Sequence, residues 1–381
     1  MTVVEITVTV TVTAVFWGAV VLYGGSSLWW IVEITILAYG WEADSLTEVG
    51  LTDIQVRILT VDSASTVQVS VNSLPEQIRD ITVIAETEID IDGADVHVPP
   101  EDFECQAQRK GRAIEWARRH VSCNKEYVLY LDEDTISTNF EGLPAADVIQ
   151  ITERPLRTDS WLAYLCEVFR IGYQREQRGF HRLTYPLYAW GGAVAVRREL
   201  ENKVTWDVPT ITEDTTFIWR AASYLNQQGE QLDYQLVNGQ FRNQAPLSLW
   251  GLINQRRRWM SGTVRDIHRL PRRYLPIVFT RIITWALSPV IPLLSALVFL
   301  YPGIVLQNGL YSIVSVGLFG IVFVYTIAGM SQCRTRPEAW LLHLVMTPLT
   351  VVLHAVGALW GFLRPVSDFT VTRKTAECTS M

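Results

Sequence analysis

The sequence predicts an α/β domain with a mainly parallel sheet, flanked by transmembrane α-helices, and three observations carry that reading. Charge is scarce: 19% of the 381 residues are charged and 49% hydrophobic, whereas an ordinary soluble domain carries about 25% charged residues. The deficit sits at the two ends. Residues 6–32 and 282–333 carry no charge, and residues 337–363 carry only Glu338 and the histidines His343 and His354. Between these ends, β-branched runs alternate with helical patterns, the signature of a parallel sheet covered by helices. The composition excludes a purely soluble chain, a small disulfide scaffold, a collagen-like fibre and a disordered chain.

Taken in order, residues 1–41 read as a membrane anchor. Their one charge after residue 5 is Glu33. The stretch is long for one span of about 20 residues and short for two; one span is expected, with two, turning at Gly24-Gly25-Ser26-Ser27, as the alternative. Glu5 stands where a signal peptide would start basic, so the anchor is expected to be retained. An acidic connector, Trp41–Asp53, carries Glu42, Asp44, Glu48 and Asp53. Residues 42–263 are the polar domain, with strands expected at Val56–Val61, Ile81–Ile84 and Tyr127–Leu131. A helix is expected at Arg109–His120, with Ala113, Ile114 and Ala117 on one face.

Residues 264–281 read as a basic interfacial helix. Arginines 256, 257, 258, 265, 269, 272 and 273 stand against the single Asp266, and the positive-inside rule places them, with the polar domain, on the cytosolic face. Residues 282–363 are expected to hold about three transmembrane helices, turning near Gln307-Asn308-Gly309 and at the basic loop Cys333-Arg334-Thr335-Arg336. Residues 364–381 form a tail, whose Arg364, Arg373 and Lys374 would lie on the wrong side after three spans.

The net charge is −7, and all but four of the 32 basic residues are arginine, the lysines being Lys110, Lys125, Lys203 and Lys374. An acidic, lysine-poor chain fits a halophile's cytoplasm and an arginine-favouring genome equally well. The cysteines, Cys105, Cys123, Cys166, Cys333 and Cys378, are odd in number and without CxxC spacing, which argues against a disulfide framework or a zinc site. Arginines confined to a juxtamembrane stripe on an acidic chain argue against nucleic acid as a partner. No GxSxG, P-loop or HExxH pattern occurs.

Three polar clusters could carry chemistry. Asp132-Glu133-Asp134-Thr135 follows the apolar strand, and two carboxylates two residues apart at a strand end can share a hard divalent cation with phosphate oxygens; a solvated turn is the plain alternative. Ile211-Thr212-Glu213-Asp214 offers a carboxylate whose proton affinity a like-charged neighbour would raise toward that of a general base; a helix start capped by Thr212 is the plain alternative. Gln255-Arg256-Arg257-Arg258-Trp259 combines guanidinium forks for phosphate with an indole face for a sugar ring; a basic membrane-surface helix is the plain alternative.

In order and spacing the three clusters resemble the DxD, TED and Q(Q/R)xRW motifs of membrane-bound processive family 2 glycosyltransferases, the cellulose, chitin and hyaluronan synthase group. The flanking text is most similar to the egghead-type β-1,4-mannosyltransferases at Val56–Thr60, Arg109–Ala113, Leu131–Thr135 and Gln255–Trp259, and the likeness covers roughly 55–305. The resemblance implies a GT-A type nucleotide-sugar-binding domain and an enzyme, a hexosyltransferase that inverts the anomeric centre. Its donor would be a UDP- or GDP-sugar, its acceptor a glycan or lipid-linked sugar, and its cofactor Mg²⁺ or Mn²⁺. By the same likeness, Asp132 and Asp134 would hold the metal and Asp214, beside Glu213, would be the base. Thr60, Asp62, Glu86, Lys110, Arg112 and Asp132 would bind the nucleotide sugar. Trp190, Gly191, Gly192, Gln255, Arg256, Arg258 and Trp259 would bind the acceptor and diphosphate. Gly191-Gly192 reads equally well as a plain tight turn. Glu86 departs from the aspartate usual in the group, which leaves the nucleotide open. The competing readings are a polyprenyl-phosphate sugar transferase, against which Gln255–Trp259 weighs, and a non-enzymatic transporter or scaffold.

Overall fold

Strand β1 (Ile54–Thr60) is buried at every position, as a β-branched run is when helices cover both faces. It pairs in parallel with β2 (Ile81–Ala85) and, on its other side, with β4 (Tyr127–Asp132). A short β3 (Asp95–His97) extends the edge beyond β2. Beyond β4, strand β6 (Ala193–Arg197) runs antiparallel between β4 and β5 (Val148–Leu156), and β7 (Tyr234–Gln244) lies parallel to β5. This computed structural model thus holds a seven-stranded sheet in the order β3-β2-β1-β4-β6-β5-β7, mostly parallel. The structure describes residues 3–41, 47–368 and 374–375; Glu42 and Asp44 of the connector and Arg373 and Cys378 of the tail lie outside the described residues.

Alternation along β4 divides the core. Leu129 and Leu131 pack with Val56, Ile58 and Val67 of α2 (Ala64–Asn72) on one face. Val128 and Tyr130 pack on the other with Ile114 of α3 (Lys110–His120), Leu200 of α5 (Arg198–Val204) and Phe217 of α6 (Glu213–Gln227). Burying these side chains is worth roughly 1.5–3 kcal/mol each before chain entropy is charged against it. Every strand that ends at the pocket is thereby clamped on two sides.

The apolar helices depart from the expected plan in detail. Helix α1 (Val3–Val32) runs unbroken through Gly24–Ser27 and continues through a wider turn, Glu33–Leu37. The stretch 264–281 is not one helix: α7 (Leu249–Asp266) ends there, a short turn Ile267–Arg269 follows, and α8 (Leu275–Leu287) begins after Pro271, which lacks the N–H a continuous helix needs. Helix α8 and helix α9 (Val290–Leu300) bend by 60° across the break at Ser288-Pro289. Helix α10 (Asn308–Gln332) starts after Gln307, which sits in the left-handed region at φ 57°, where the turn was expected. Helix α11 is Pro337–Leu363. Among the described residues three helices, Ile6–Leu37, α10 and α11, are long and apolar enough to cross a membrane, and the bent α8–α9 pair would make a fourth.

Helix α11 meets the polar domain along its length. Tyr164 of α4 (Trp161–Gly172) faces His343 with ring centroids 6.4 Å apart, and Cys166 Sγ donates to Thr350 O. Gly357 and Gly361 lie where a Cβ would strike the carbonyls of Ile253 and Arg257 on α7. Beyond α11, Val366 N donates to Ser261 Oγ (3.0 Å) and Arg109 pairs with Asp368 (2.8 Å). The chain therefore returns to the polar domain after α11.

Helices α4 and α10 touch backbone to backbone at Gly172 and Gly329, where a Cβ would meet Tyr325 O and Val168 O. Gly329→Leu should destabilise this crossing by about 1–3 kcal/mol, the usual cost of overpacking, and lower the thermal unfolding midpoint in detergent. Gly320→Leu, which meets nothing within 4 Å, should leave it unchanged; equal midpoints for the two variants would refute the contact.

Candidate active site

The site forms where β1 and β4 end and the first turns of α3 and α6 begin, the end of a parallel sheet at which ligands bind. Helices α3 and α6 start in contact, so that a Cβ on Gly111 would lie 3.8 Å from that of Glu213. Lys110 can then reach three acids: its Nζ donates to Asp132 Oδ1 at 2.8 Å and stands 3.6 Å from Glu213 Oε1 and 4.0 Å from Asp214 Oδ1. Burial opposes the charge on Lys110, but Asp132, Asp214 and Glu213 outweigh it and hold the amine above the usual lysine range.

Burial also pushes the Asp214 carboxyl up to about 7; Lys110 opposes that rise, while Glu213 and Asp132 add to it. For Asp132 burial acts in the same upward direction, but Lys110 and Lys374 prevail and hold it below the usual carboxylate range. Two acids in one pocket are thereby driven apart in proton affinity. Thr212 occupies the N-cap position of α6 without a capping bond from its side chain, with Glu213 and Asp214 in the first turn. The acids are thus both a helix start and part of the pocket.

Asp134 Oδ2 accepts from Gln244 N and from Lys374 Nζ, each at 2.6 Å, while its Oδ1 is buried without a hydrogen-bond partner. An orphaned carboxylate oxygen beside Asp132, with an ammonium already drawn to the other oxygen, is a donor set suited to a hard cation. Among the described residues no group of three or more His, Cys, Asp and Glu could hold a metal. A divalent ion here would complete its shell with phosphate oxygens and water, as Mg²⁺ commonly does. Glu133, which lines the pocket beside the two aspartates, accepts from Thr60 Oγ1 at 2.5 Å.

Gly191 and Gly192 exist for close approach. A Cβ on Gly191 would run into the Asp214 carboxylate, and one on Gly192 into Asn243 and Glu153. Next to them Trp190 lies under the Arg170 guanidinium at 4.1 Å, and Trp259 is 5.6 Å from the same group. Asp132, Asp134, Asp214, Gln255, Arg258 and Trp259 line one cavity of about 430 Å³, together with Thr60, Glu86, Lys110, Trp190, Gly191 and Gly192. Arg258 is near enough to help depress Asp132. The cavity runs on between the apolar helices, past Glu176, Tyr188 and Arg281 to Tyr23, Trp30, Trp285 and Tyr325.

Three expected site residues lie elsewhere. Arg256 is fully buried, donates to Glu167 and to His354 of α11, and stacks over Trp259 at 4.3 Å. Arg112 holds the loop carbonyls of Pro100 and Phe103. Asp62 is exposed and outside the lining. Conversely, the buried chain Glu153–Arg170–Glu167–Arg256 and the tail residue Lys374 were not singled out from the sequence. Only alternating charge on α4, Glu167 and Arg170, hinted at the first. Lys374 could have been flagged as one of just four lysines.

The model of glycosyl transferase family group 2 matches residues 127–356, more than half of the chain. Beta-1,4-mannosyltransferase egh of Drosophila melanogaster is 24% identical over 315 residues, covering 73% of this chain and 66% of the fly protein. Beta-1,4-mannosyltransferase bre-3 of Caenorhabditis elegans is 26% identical over 220 residues, covering 51% of this chain and 46% of the nematode protein. The chain thus spans about half to two thirds of the length of these relatives. Among solved structures, mannosyltransferase PcManGT from Pyrobaculum calidifontis in complex with GDP-Man and Mn²⁺ aligns with a TM-score of 0.47 and 13% identity, over 93% of this chain and 98% of that one.

Gly192→Ala should lower the unfolding midpoint by the equivalent of about 1–3 kcal/mol, because the added methyl displaces buried Glu153 and Asn243. Gly251→Ala, at a position whose Cβ would approach nothing closer than Ser248 Oγ at 3.3 Å, is the comparison. A midpoint for Gly192→Ala no lower than for Gly251→Ala would show that the pocket floor is not tightly packed.

Proposed function

We propose, from the premise that the chain belongs to glycosyl transferase family group 2, that it moves a mannosyl residue from a nucleotide-diphosphate donor to a glycan or lipid-linked acceptor with inversion at the anomeric carbon. That it is a glycosyltransferase follows from the family, and a transporter or scaffold without enzymatic activity is thereby set aside. Mannose is supported by the names of the relatives. The mechanism is supported above all by Lys110 holding Asp132 and Asp214 in one pocket at 2.8 and 4.0 Å.

Asp214, as carboxylate, takes the proton of an acceptor hydroxyl. That oxygen bonds to the anomeric carbon from the face opposite the diphosphate, whose oxygen departs with the bonding pair. Asp132 and Asp134 would hold Mg²⁺ or Mn²⁺, which when bound neutralises charge growing on the leaving diphosphate. Arg258 adds a fixed guanidinium on the same side. Trp190 and Trp259, pinned by Arg170, offer flat faces to a sugar ring. Lys110 keeps Asp132 ionised and stays charged throughout, so of the two aspartates beside it the one poised to change protonation is Asp214.

The continuation of the cavity among apolar helices supports an acceptor or product that travels through the bilayer. The arginines ahead of α8 support a cytosolic catalytic face. Because α11 packs on α4 and α7 and the chain then returns to Asp134, we read α11 as lying along the membrane surface, with α1, α8–α9 and α10 entering the bilayer. That arrangement also keeps Arg364 and Lys374 on the cytosolic side.

Asp214→Asn should cut transfer of labelled mannose by about 10²–10⁴-fold; undiminished transfer would refute the assigned base. Because Asp214 is protonated below about pH 7 and ionised above it, kcat/KM should rise with pH through that value. Glu213→Gln removes a repelling charge and should shift the rise to lower pH, and an unmoved profile would disconnect the two acids. Chelation of divalent ions should abolish transfer, with recovery on adding Mg²⁺ or Mn²⁺ in wild type but not in Asp134→Asn.

A further inference from the structure

A second polar site lies away from the reaction pocket, where the loop between α10 and α11 meets the sheet edge. Arg154 on β5 is the register partner of Arg242 on β7. Like charges placed side by side across strands repel and need a compensating partner. The loop brings Arg334 to the same place: burial first, then Arg334 and Arg242, hold the half-buried Arg154 guanidinium below the usual arginine range. Arg334 itself is held at φ 53°, in the left-handed region that non-glycine residues seldom adopt.

Among the described residues, Arg154, Arg242 and Arg334 make no ion pair, side-chain hydrogen bond or ring contact, in contrast to Arg170 and Arg281 of the pocket. The next residue in the loop supplies a further unmet group, because Thr335 Oγ1 is buried without a hydrogen-bond partner. Arg154 and Arg242 side by side across the strands, with Arg334 brought up to them by the loop, form a cradle for an anion, and guanidinium forks match phosphate oxygens in pairs.

The depth of the cradle indicates the source of that phosphate. It sits at the end of apolar helix α10, beside Trp340, whose Nε1 donates to Thr335 O at 3.1 Å. Indoles gather at the membrane–water boundary, where lipid headgroups lie. We propose that Arg154, Arg242 and Arg334 bind the phosphate of an anionic lipid in the leaflet facing the catalytic domain. The site stands apart from transfer chemistry and rests only on α10 entering the bilayer. That premise is checked separately, by whether the chain leaves membranes with detergent but not with alkaline carbonate.

The full chain, purified in a neutral detergent, is titrated with short-chain phosphatidylglycerol, short-chain phosphatidylcholine or inorganic phosphate while thermal unfolding is followed. Phosphatidylglycerol should raise the midpoint, and phosphatidylcholine should not. Arg154→Gln/Arg334→Gln should weaken the response at least about tenfold in lipid concentration, while Arg272→Gln/Arg273→Gln, which removes two exposed arginines elsewhere, should keep it. Should the double variant not fold, Arg334→Gln alone, in an exposed position, gives the same comparison. Equal responses to the two lipids, or equal loss in both double variants, would overturn the site. A response to inorganic phosphate matching that to phosphatidylglycerol would keep the anion cradle and overturn the lipid as its occupant.

Discussion

The pocket depends on one ammonium group. Asp132, Glu213 and Asp214 come from a strand end and a helix start, and without a shared cation they would repel one another inside the cavity. Lys110 supplies that cation from the first turn of a third element, 2.8 Å from Asp132. A buried charge is costly unless paired, so the contact constrains both sides: the acids need the lysine in order to stay close, and the lysine needs them in order to stay charged. The uneven sharing also separates the two aspartates chemically. Asp132, bonded directly, remains an anion, while Asp214, held more loosely, titrates near neutrality.

Much of this could be read from the residues. The runs Val56–Val61, Ile81–Ile84 and Tyr127–Leu131 are strands within a residue or two of the expected ends, because β-branched residues buried on both faces leave little choice. The acid pair, Glu213-Asp214, and Gln255, Arg258 and Trp259 do line one cavity. What escaped was set by direction. Arg256 points inward to Glu167 and His354, while Arg258 faces the cavity, and a run of three arginines does not reveal which of them turns in until α4 and α11 are packed. Lys374 reaches Asp134 across 240 positions, a distance no local pattern spans. The glycines failed as signals for a related reason: Gly191-Gly192 looks like any turn until the Asp214 carboxylate is seen where a methyl would be.

The junction between the polar domain and the apolar helices is built from the same two devices, missing side chains and shared charges. Gly172 meets α10, Gly329 meets α4, and Gly357 and Gly361 meet α7, each through backbone contact. Arg281 of α8 joins Glu33, just beyond α1, to Glu176 on the domain side, and Tyr188 and Tyr325 donate to Glu176 at 3.1 and 3.2 Å. Small residues let helices approach where apolar surroundings give no drive to associate. The charge cluster then sets the register, since a slip of one turn would strand a carboxylate. Pocket and helices are in this sense a single packed body.

The bond from Arg256 to His354 has a consequence for how the molecule is made. A ribosome that has delivered the first 300 residues has already synthesised every acid of the pocket and the whole Gln255–Trp259 segment. It has not yet supplied the helix on which Arg256 rests, or the lysine that settles on Asp134. Until that late helix arrives, the guanidinium stacked on Trp259 has Glu167 and Gln255 but lacks His354. The seating of Arg256 is thereby completed only once α11 has docked on α7.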